Sequence, residues 1–371
     1  MYISNNTNKI RNSKLKKKIL IIGPSPNAVG GIATFVEGLI NSELSLHYNF
    51  EILDILKSKK RDNLIKREQS VVKDLLGSSI LLIEFITKLI NTRYDIIHIN
   101  SSAYLSFYEK LMLLLISNLF RRKTVFHIHS GSFPVFYAKV RYKSIVSRIL
   151  NKSSKVICVS SSIQECLRLT NTVVIPNGIN IPHDFKKQYN KNSTTFISIC
   201  LLEKNKNLDV VIKAVEILKK QKIMNFKYLI AGAGGEKEHL EQLVEELNLT
   251  DRIIFAGVVI DKQKIEMYRN AEVYISVSDY ESFGISLAEA MSYKLAIIST
   301  PTGIAIDRII DGKNGYLISS QDANELAEKM KAMIYREIDL FEAGIINQTI
   351  IDENYSWGKI SAQFADVYES L

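Results

Sequence analysis

The chain has 371 residues, 46% of them hydrophobic and 23% charged, with a formal net charge of +9. That length exceeds one ordinary hydrophobic core and suits two α/β domains, and the composition excludes a disordered or fibrous chain. Three cysteines, Cys158, Cys166 and Cys200, lack both the even count of a disulfide framework and the paired spacing of a zinc site, so a reducing compartment is expected, with Cys158 and Cys200 buried in apolar strand-like runs.

Strand and helix signals alternate along the whole chain. The run 18–23 reads as a short buried strand ending at Gly23-Pro24, followed by a helix over 32–41. A strand at 50–56 and a long helix at 71–92 come next. They are followed by a strand at 94–99, a helix at 104–120 and strands at 124–129, 155–159 and 172–175. Pro176-Asn177-Gly178 and a polar stretch at 183–195 interrupt the pattern. The series then restarts with strands at 195–200, 227–231, 253–256, 273–277, 295–299 and 315–318. Helices are expected at 207–221, 236–247, 262–270 and 284–292 and through most of the remainder. Strands separated by helices of this length imply parallel sheets covered on both faces. The expected division is 1–178, 179–352 and a closing helix, 353–371, that returns to the first domain.

Charge is unevenly placed. Residues 1–180 hold 26 Lys and Arg against 11 Asp and Glu, a net +15, and the rest hold 22 against 28, a net −6. Basic clusters fall at 14–18, 57–67, 121–123 and 139–148. Nucleic acid or an anionic membrane surface would suit such a face, while a solvated face is the better reading of any single cluster. No signal peptide or run of roughly 20 apolar residues is visible. A cytoplasmic chain is expected, with the inner membrane leaflet as a place it could associate.

In open parallel sheets ligands bind beyond the carboxyl ends of the strands, and the candidate residues fall just after strands. Gly30-Gly31 lies between the first strand and a helix. It suits close approach of a phosphate to backbone amides, or equally a plain turn. Lys204-Asn-Lys-Asn207 places cations at a helix start, where they oppose the dipole unless an anion is present. In Glu281-Ser-Phe-Gly-Ile-Ser-Leu-Ala-Glu289, two carboxylates are separated by seven residues across a loop and a helix start. They could accept hydrogen bonds from sugar or ribose hydroxyls, while Ser286 to Glu289 reads equally as a capping box. His127 and His129 end a strand on one face, and a polar contact to substrate suits them better than zinc. His98 reads as a core histidine. An Asp-x-Asp is absent, as is a G-x-S-x-G elbow, and no glycine fingerprint precedes Asp54.

Taken together these residues resemble the GT-B retaining glycosyltransferases of family 4. The resemblance is strongest between 196 and 317. It rests on the E-x7-E pattern at 281–289, on 228–234 (Tyr-Leu-Ile-Ala-Gly-Ala-Gly), 251–257 (Asp-Arg-Ile-Ile-Phe-Ala-Gly) and 175–179 (Ile-Pro-Asn-Gly-Ile), and on Tyr355-Ser-Trp357. It implies two Rossmann-like domains facing each other across a cleft, and transfer of a sugar from a nucleotide diphosphate, with a UDP-sugar favoured. The implied acceptor is a glycan or a lipid-linked glycan of bacterial surface polysaccharide or glycoconjugate synthesis. No metal, other cofactor or nucleic acid is implied.

By the same resemblance Glu289 would hold the donor ribose, and Glu281, with Ser282 beside it, the hydroxyls of the transferred sugar. Phe283, Gly284 and Ile285 would offer amides, Gly30 and Gly31 would approach the diphosphate, and His129 would sit near the transferred sugar. Lys206, next to Asn207, would neutralise the leaving group. His129, Glu281 and Lys206 would be the catalytic set. Leu201 stands where the family usually has Arg, and Lys294 and Ala296 replace the usual Gly and Pro. A catalytically degenerate subunit that binds glycan or protein, and a nucleotide-sugar epimerase, are the alternatives.

Overall fold

The computed structural model describes residues 16–26, 28, 30–56, 71–182, 185–190, 192–319 and 321–371. The basic run 57–67 and residues 14 and 15 lie outside them. Among the described residues, twelve strands form two six-stranded sheets in which every neighbouring pair is parallel.

The first sheet comprises β1 (Lys17–Gly23), β2 (Tyr48–Asp54), β3 (Ile96–Ser101), β4 (Lys123–Ile128), β5 (Lys155–Cys158) and β6 (Thr172–Val174), in the order β2-β1-β3-β4-β5-β6. The second comprises β7 (Thr194–Ile199), β8 (Phe226–Ala231), β9 (Ile253–Gly257), β10 (Val273–Ser276), β11 (Ala296–Ser299) and β12 (Gly315–Leu317), in the order β12-β11-β10-β7-β8-β9. In each sheet the strand order reverses beside the first strand, between β1 and β3 and between β7 and β10. Such reversal points open a crevice at the carboxyl ends.

Fully buried Ile19, Leu20, Ile21 and Ile22 explain why β1 is central: both of its faces are apolar, so both must be covered. The first sheet is served by α1 (Gly31–Asn41), α2 (Val71–Asn91), α3 (Leu105–Leu119), α4 (Phe133–Ala138), α5 (Lys143–Leu150) and α6 (Ser161–Leu167). Then follow α7 (Leu208–Lys220), α8 (Lys237–Glu246), α9 (Asp261–Asn270), α10 (Ile285–Ser292), α11 (Ala305–Arg308), α12 (Ala323–Ile334), α13 (Leu340–Tyr355) and α14 (Trp357–Glu369). Every strand expected from the sequence forms within two residues of its expected ends. Helices α4, α5 and α6 were not anticipated, because six to eight residues are too few to display a helical period. No helix among the described residues is long and apolar enough to cross a membrane.

The last helix departs from the second sheet and packs on the first. Ile360, Phe364 and Tyr368 of α14 share a core with Ile19 and Ile21 of β1 and Phe35 of α1. The crossing is pinned where Ile179 N donates to Tyr355 O (2.7 Å) and Trp357 N donates to Ile179 O (3.2 Å). The Trp357 ring fills the space left by two glycines: a Cβ at Gly38 would stand 2.2 Å from it, and one at Gly178 2.4 Å.

Gly178→Ala therefore forces the ring out of place. A loss of about 1–3 kcal/mol is expected, as for overpacked cores. The urea midpoint of the variant against the parent measures it, and an unchanged midpoint contradicts the account.

Candidate active site

The carboxyl ends of both sheets open on one cavity of about 790 Å³. Gly30, Gly31, Ser102 and His129 line it from the first sheet. Lys206, Glu281, Ser282, Phe283, Gly284 and Ile285 line it from the second. The two walls touch at the floor: a Cβ on Gly131, just after His129, would meet Ser282 N at 2.5 Å.

Two helix starts face this space. Gly30 caps α1 with φ 134° and Gly284 caps α10 with φ 84°, backbone conformations that side chains beyond glycine rarely adopt. Neither start has a side-chain cap. The first amides of both helices, with their partial positive charge, are thus left to a ligand or to water. Because α10 begins at Ile285, Ser286 lies inside the helix and is not its cap. The capping-box reading of Ser286 and Glu289 is therefore not realised.

Behind His129 lies a buried polar row. Asn100 Nδ2 donates to Ile22 O (3.1 Å), which turns its Oδ1 toward His129 Nε2 at 2.9 Å. His129 Nε2 must therefore carry the proton, and Nδ1 is left as an acceptor. The His127 ring lies 3.8 Å from that of His129, centroid to centroid, with its Nδ1 3.3 Å from His98 Nε2. His98 Nδ1 in turn meets Tyr368 OH at 2.6 Å, so His98 is the core histidine expected. Burial lowers the His98 pKa to about 3. Burial, reinforced by the charge of His98, does the same to His129. Burial and both neighbours hold His127 well below the ordinary range. At neutral pH the row is uncharged.

On the second wall Lys206 Nζ meets Glu281 Oε1 at 2.5 Å, and Ser278 Oγ donates to the same oxygen at 3.1 Å. Burial pulls the Lys206 ammonium down, but the Glu281 carboxylate outweighs it, and the group titrates above the usual lysine range. Lys206 is therefore a fixed cation. Glu289 lies deeper, on α10. It receives Lys264 Nζ at 2.6 Å and Tyr268 OH at 2.9 Å, both from α9. Lys264 lines the cavity.

The structure thus gathers His129, Lys206, Glu281, Gly30, Gly31, Ser282, Phe283, Gly284 and Ile285 on one cavity, with Glu289 just behind. Asn207 does not join them. In the left-handed region at φ 50°, it turns its amide to Val277 O (3.0 Å) and Asp279 Oδ1 (2.6 Å), tying two loops together. Leu201, where the family usually has Arg, lines the cavity, and Lys204 is not among the lining residues. Cys158 is buried as expected, but Cys200 is only partly so and lines the cavity. Sequence reasoning missed Asn100, Lys264 and Tyr268. Lys264 and Tyr268 do carry a signal, their i, i+4 spacing on one helix face.

The three buried histidines set an acid limit. Each binds its proton less readily folded than unfolded, where imidazole titrates near 6.5. Between about 3 and 6.5 the unfolded chain therefore binds more protons, and stability falls as pH is lowered through that window. The unfolding free energy from urea titration is expected to drop steadily from pH 6.5 to pH 4.5, by up to about 1.4 kcal/mol per unit and per histidine. A flat profile there contradicts the buried, neutral row.

Comparison with known proteins agrees with this geometry. The family described as Glycosyltransferase Family 4 matches residues 54–182, and that described as Glycosyl transferases group 1 matches residues 181–343. An uncharacterized glycosyltransferase of Methanocaldococcus jannaschii is 25% identical over 350 residues, 92% of this chain and 95% of that one. A poly(ribitol-phosphate) alpha-N-acetylglucosaminyltransferase of Staphylococcus aureus is 28% identical over 44% of this chain, a match that spans 33% of that protein. In fold, sucrose-phosphate synthase of Thermosynechococcus elongatus superposes with a TM-score of 0.79 at 19% identity, over 96% of this chain and 99% of that one. Anabaena HepE in complex with UDP superposes with a TM-score of 0.70 at 19% identity, over 95% and 100%. The paired parallel sheets, the cleft between them and the two family matches lead to one conclusion: the chain belongs to the family 4, group 1 glycosyltransferases of GT-B fold.

Proposed function

We propose that the chain is a retaining hexosyltransferase that takes a sugar from UDP and places it on a glycan or lipid-linked acceptor. The observation that carries this reading is the convergence of Lys206 and two uncapped helix starts on one cavity that also holds His129 and Glu281. Positive charge and free amides suit a diphosphate, and carboxylate and imidazole suit sugar hydroxyls. HepE, with UDP bound, favours UDP as the nucleotide. The Staphylococcus aureus relative, named for transfer of N-acetylglucosamine to poly(ribitol-phosphate), suits a polymeric acceptor of bacterial glycoconjugate synthesis.

In this reading the diphosphate competes with Glu281 for Lys206. Once Lys206 turns to the phosphates, Glu281 is freed to accept from the sugar. Charge growing on the leaving UDP is met by Lys206 and the first amides of α10, interactions stronger in the transition state than in the ground state. Glu289, held by Lys264 and Tyr268, accepts from the ribose. His129, neutral and with Nδ1 unprotonated, accepts from a sugar hydroxyl. The acceptor hydroxyl attacks on the face the leaving group departs from and gives its proton to a donor phosphate oxygen, so the anomeric configuration is retained. No metal ion is required where Lys206 and the amides fill its role.

Incubation with UDP-glucose, UDP-galactose and UDP-N-acetylglucosamine is expected to release UDP with one of them, undiminished by EDTA. Lys206→Ala lowers kcat by about 10²-fold, as loss of one electrostatic stabiliser does elsewhere. Glu289→Ala chiefly raises KM for the donor, and His129→Ala chiefly lowers kcat. Absence of UDP release together with absence of any thermal shift from UDP, GDP or ADP contradicts the reading.

A further inference from the structure

Two neighbouring helices of the first sheet turn apolar side chains to solvent. On α3 the exposed positions are Leu105, Tyr108, Met112, Leu115 and Leu119, the last four spaced i, i+4, i+7 and i+11 on one face. Its opposite face, with Phe107, Leu111 and Leu114, is buried in the core. On α2, which packs beside α3, Ile80, Ile83 and Ile90 are exposed at the same kind of spacing. None of the exposed described residues of α2 or α3 carries a charge. Leu105 is 84% exposed and Leu119 80%, so the stripe is open along the whole length of α3. Isolated surface leucines need no explanation, but a continuous outward stripe on a helix already apolar inward does.

The surroundings of the stripe are cationic. From residue 96 to 164 the sequence contains ten Lys and Arg and a single acid, Glu109, which is partly buried and paired with Lys110. Arg121 and Lys123 follow the end of α3 and are exposed. Helix α5 packs against α3, and Lys139, Arg141, Lys143 and Arg148 are exposed on it or just before it, with Tyr142 and Ile145 exposed among them. None of these cations is ion-paired among the described residues. On α2, Glu84 is partly buried with a partner of its own, and Lys88 is paired with Glu51.

We infer that the α2–α3–α5 face docks on an anionic lipid bilayer, its apolar stripe entering the headgroup boundary and its cations meeting lipid phosphates. This is the arrangement by which an amphipathic helix lies in a membrane interface, and a basic flank strengthens it. A second copy of the chain fits less well: a two-fold contact sets a patch against itself, and among the described residues cations would meet cations, with Glu84 and Glu109 already partnered. The stripe also has a place relative to the site. Ser102, which lines the cavity, stands three residues before α3, and Tyr104 lies close enough to Tyr280, next to the cavity-lining Glu281, to raise its pKa, second to burial. The bilayer is thereby brought to the cavity rim, so the acceptor is lipid-linked. That last step rests on the transferase reading; the docking does not.

The full chain, floated with phosphatidylcholine vesicles with and without phosphatidylglycerol, is expected to rise only with the anionic vesicles and less so as salt increases. The M112E/L119E variant and the R141S/K143S/R148S variant should each cut the floated fraction about tenfold, the effect expected of removing either the apolar or the basic half of the anchor. Both should keep the parent's melting temperature and its thermal shift with UDP. Three results would overturn the inference: a parent that stays down with anionic vesicles, variants that float as the parent does, or a parent dimer that M112E/L119E dissolves without any vesicle binding. A parent that floats but gives no shift with UDP leaves the docking intact and counts against the transferase reading.

Discussion

The seating of Trp357 between Gly38 and Gly178 is the contact on which the arrangement of the two sheets depends. It holds the point where the chain, having built the second sheet, crosses back to cover the first. Two backbone hydrogen bonds between Ile179 and the 355–357 segment pin the same crossing. Beyond it, α14 closes the core over β1 and α1, and Tyr368 and Phe364 roof the histidine row. The depressed pKa values of His98, His127 and His129 follow from that roof. A packing contact at the crossing therefore sets both the placement of the cleft walls and the charge state of one of them.

Within the cleft the physical theme is positive potential supplied by the protein's own lysines and helix starts. Two ammonium groups, Lys206 and Lys264, each paired with a glutamate, and two helix starts face a cavity that Glu37 and Glu203 also line. The Lys206–Glu281 pair keeps the lysine charged, while the Ser278 hydroxyl holds the carboxylate in place. The pair is only partly shielded, with side-chain exposures of 15% and 26%, so an incoming anion can reach it. Glu289 is the reverse case. Its carboxylate is held by Lys264 and Tyr268 from a different helix, an arrangement that positions it before any ligand arrives.

The fold was legible because parallel strands buried on both faces leave uninterrupted apolar runs, such as 19–22, and these recur at regular intervals. The Glu281–Glu289 spacing and the glycine turn at 30–31 were legible because each is local. What escaped was non-local. Nothing near Asn100 in the chain says that it will orient His129, since β3 and β4 meet only through sheet pairing. Lys264 and Tyr268 share a helix face, but their target on α10 depends on how α9 packs. Asn207 was misread for the same reason: its neighbours Val277 and Asp279 lie seventy or more residues away, and they claim its amide for the loops.

The central claim is that a nucleoside diphosphate sits between Lys206 and the first turn of α10. A crystal structure of the chain with UDP tests it most directly. The account predicts the β-phosphate within hydrogen-bonding distance of Lys206 Nζ and of the α10 amides, with Glu281 released from the lysine. UDP bound elsewhere, with the Lys206–Glu281 pair intact, would contradict it.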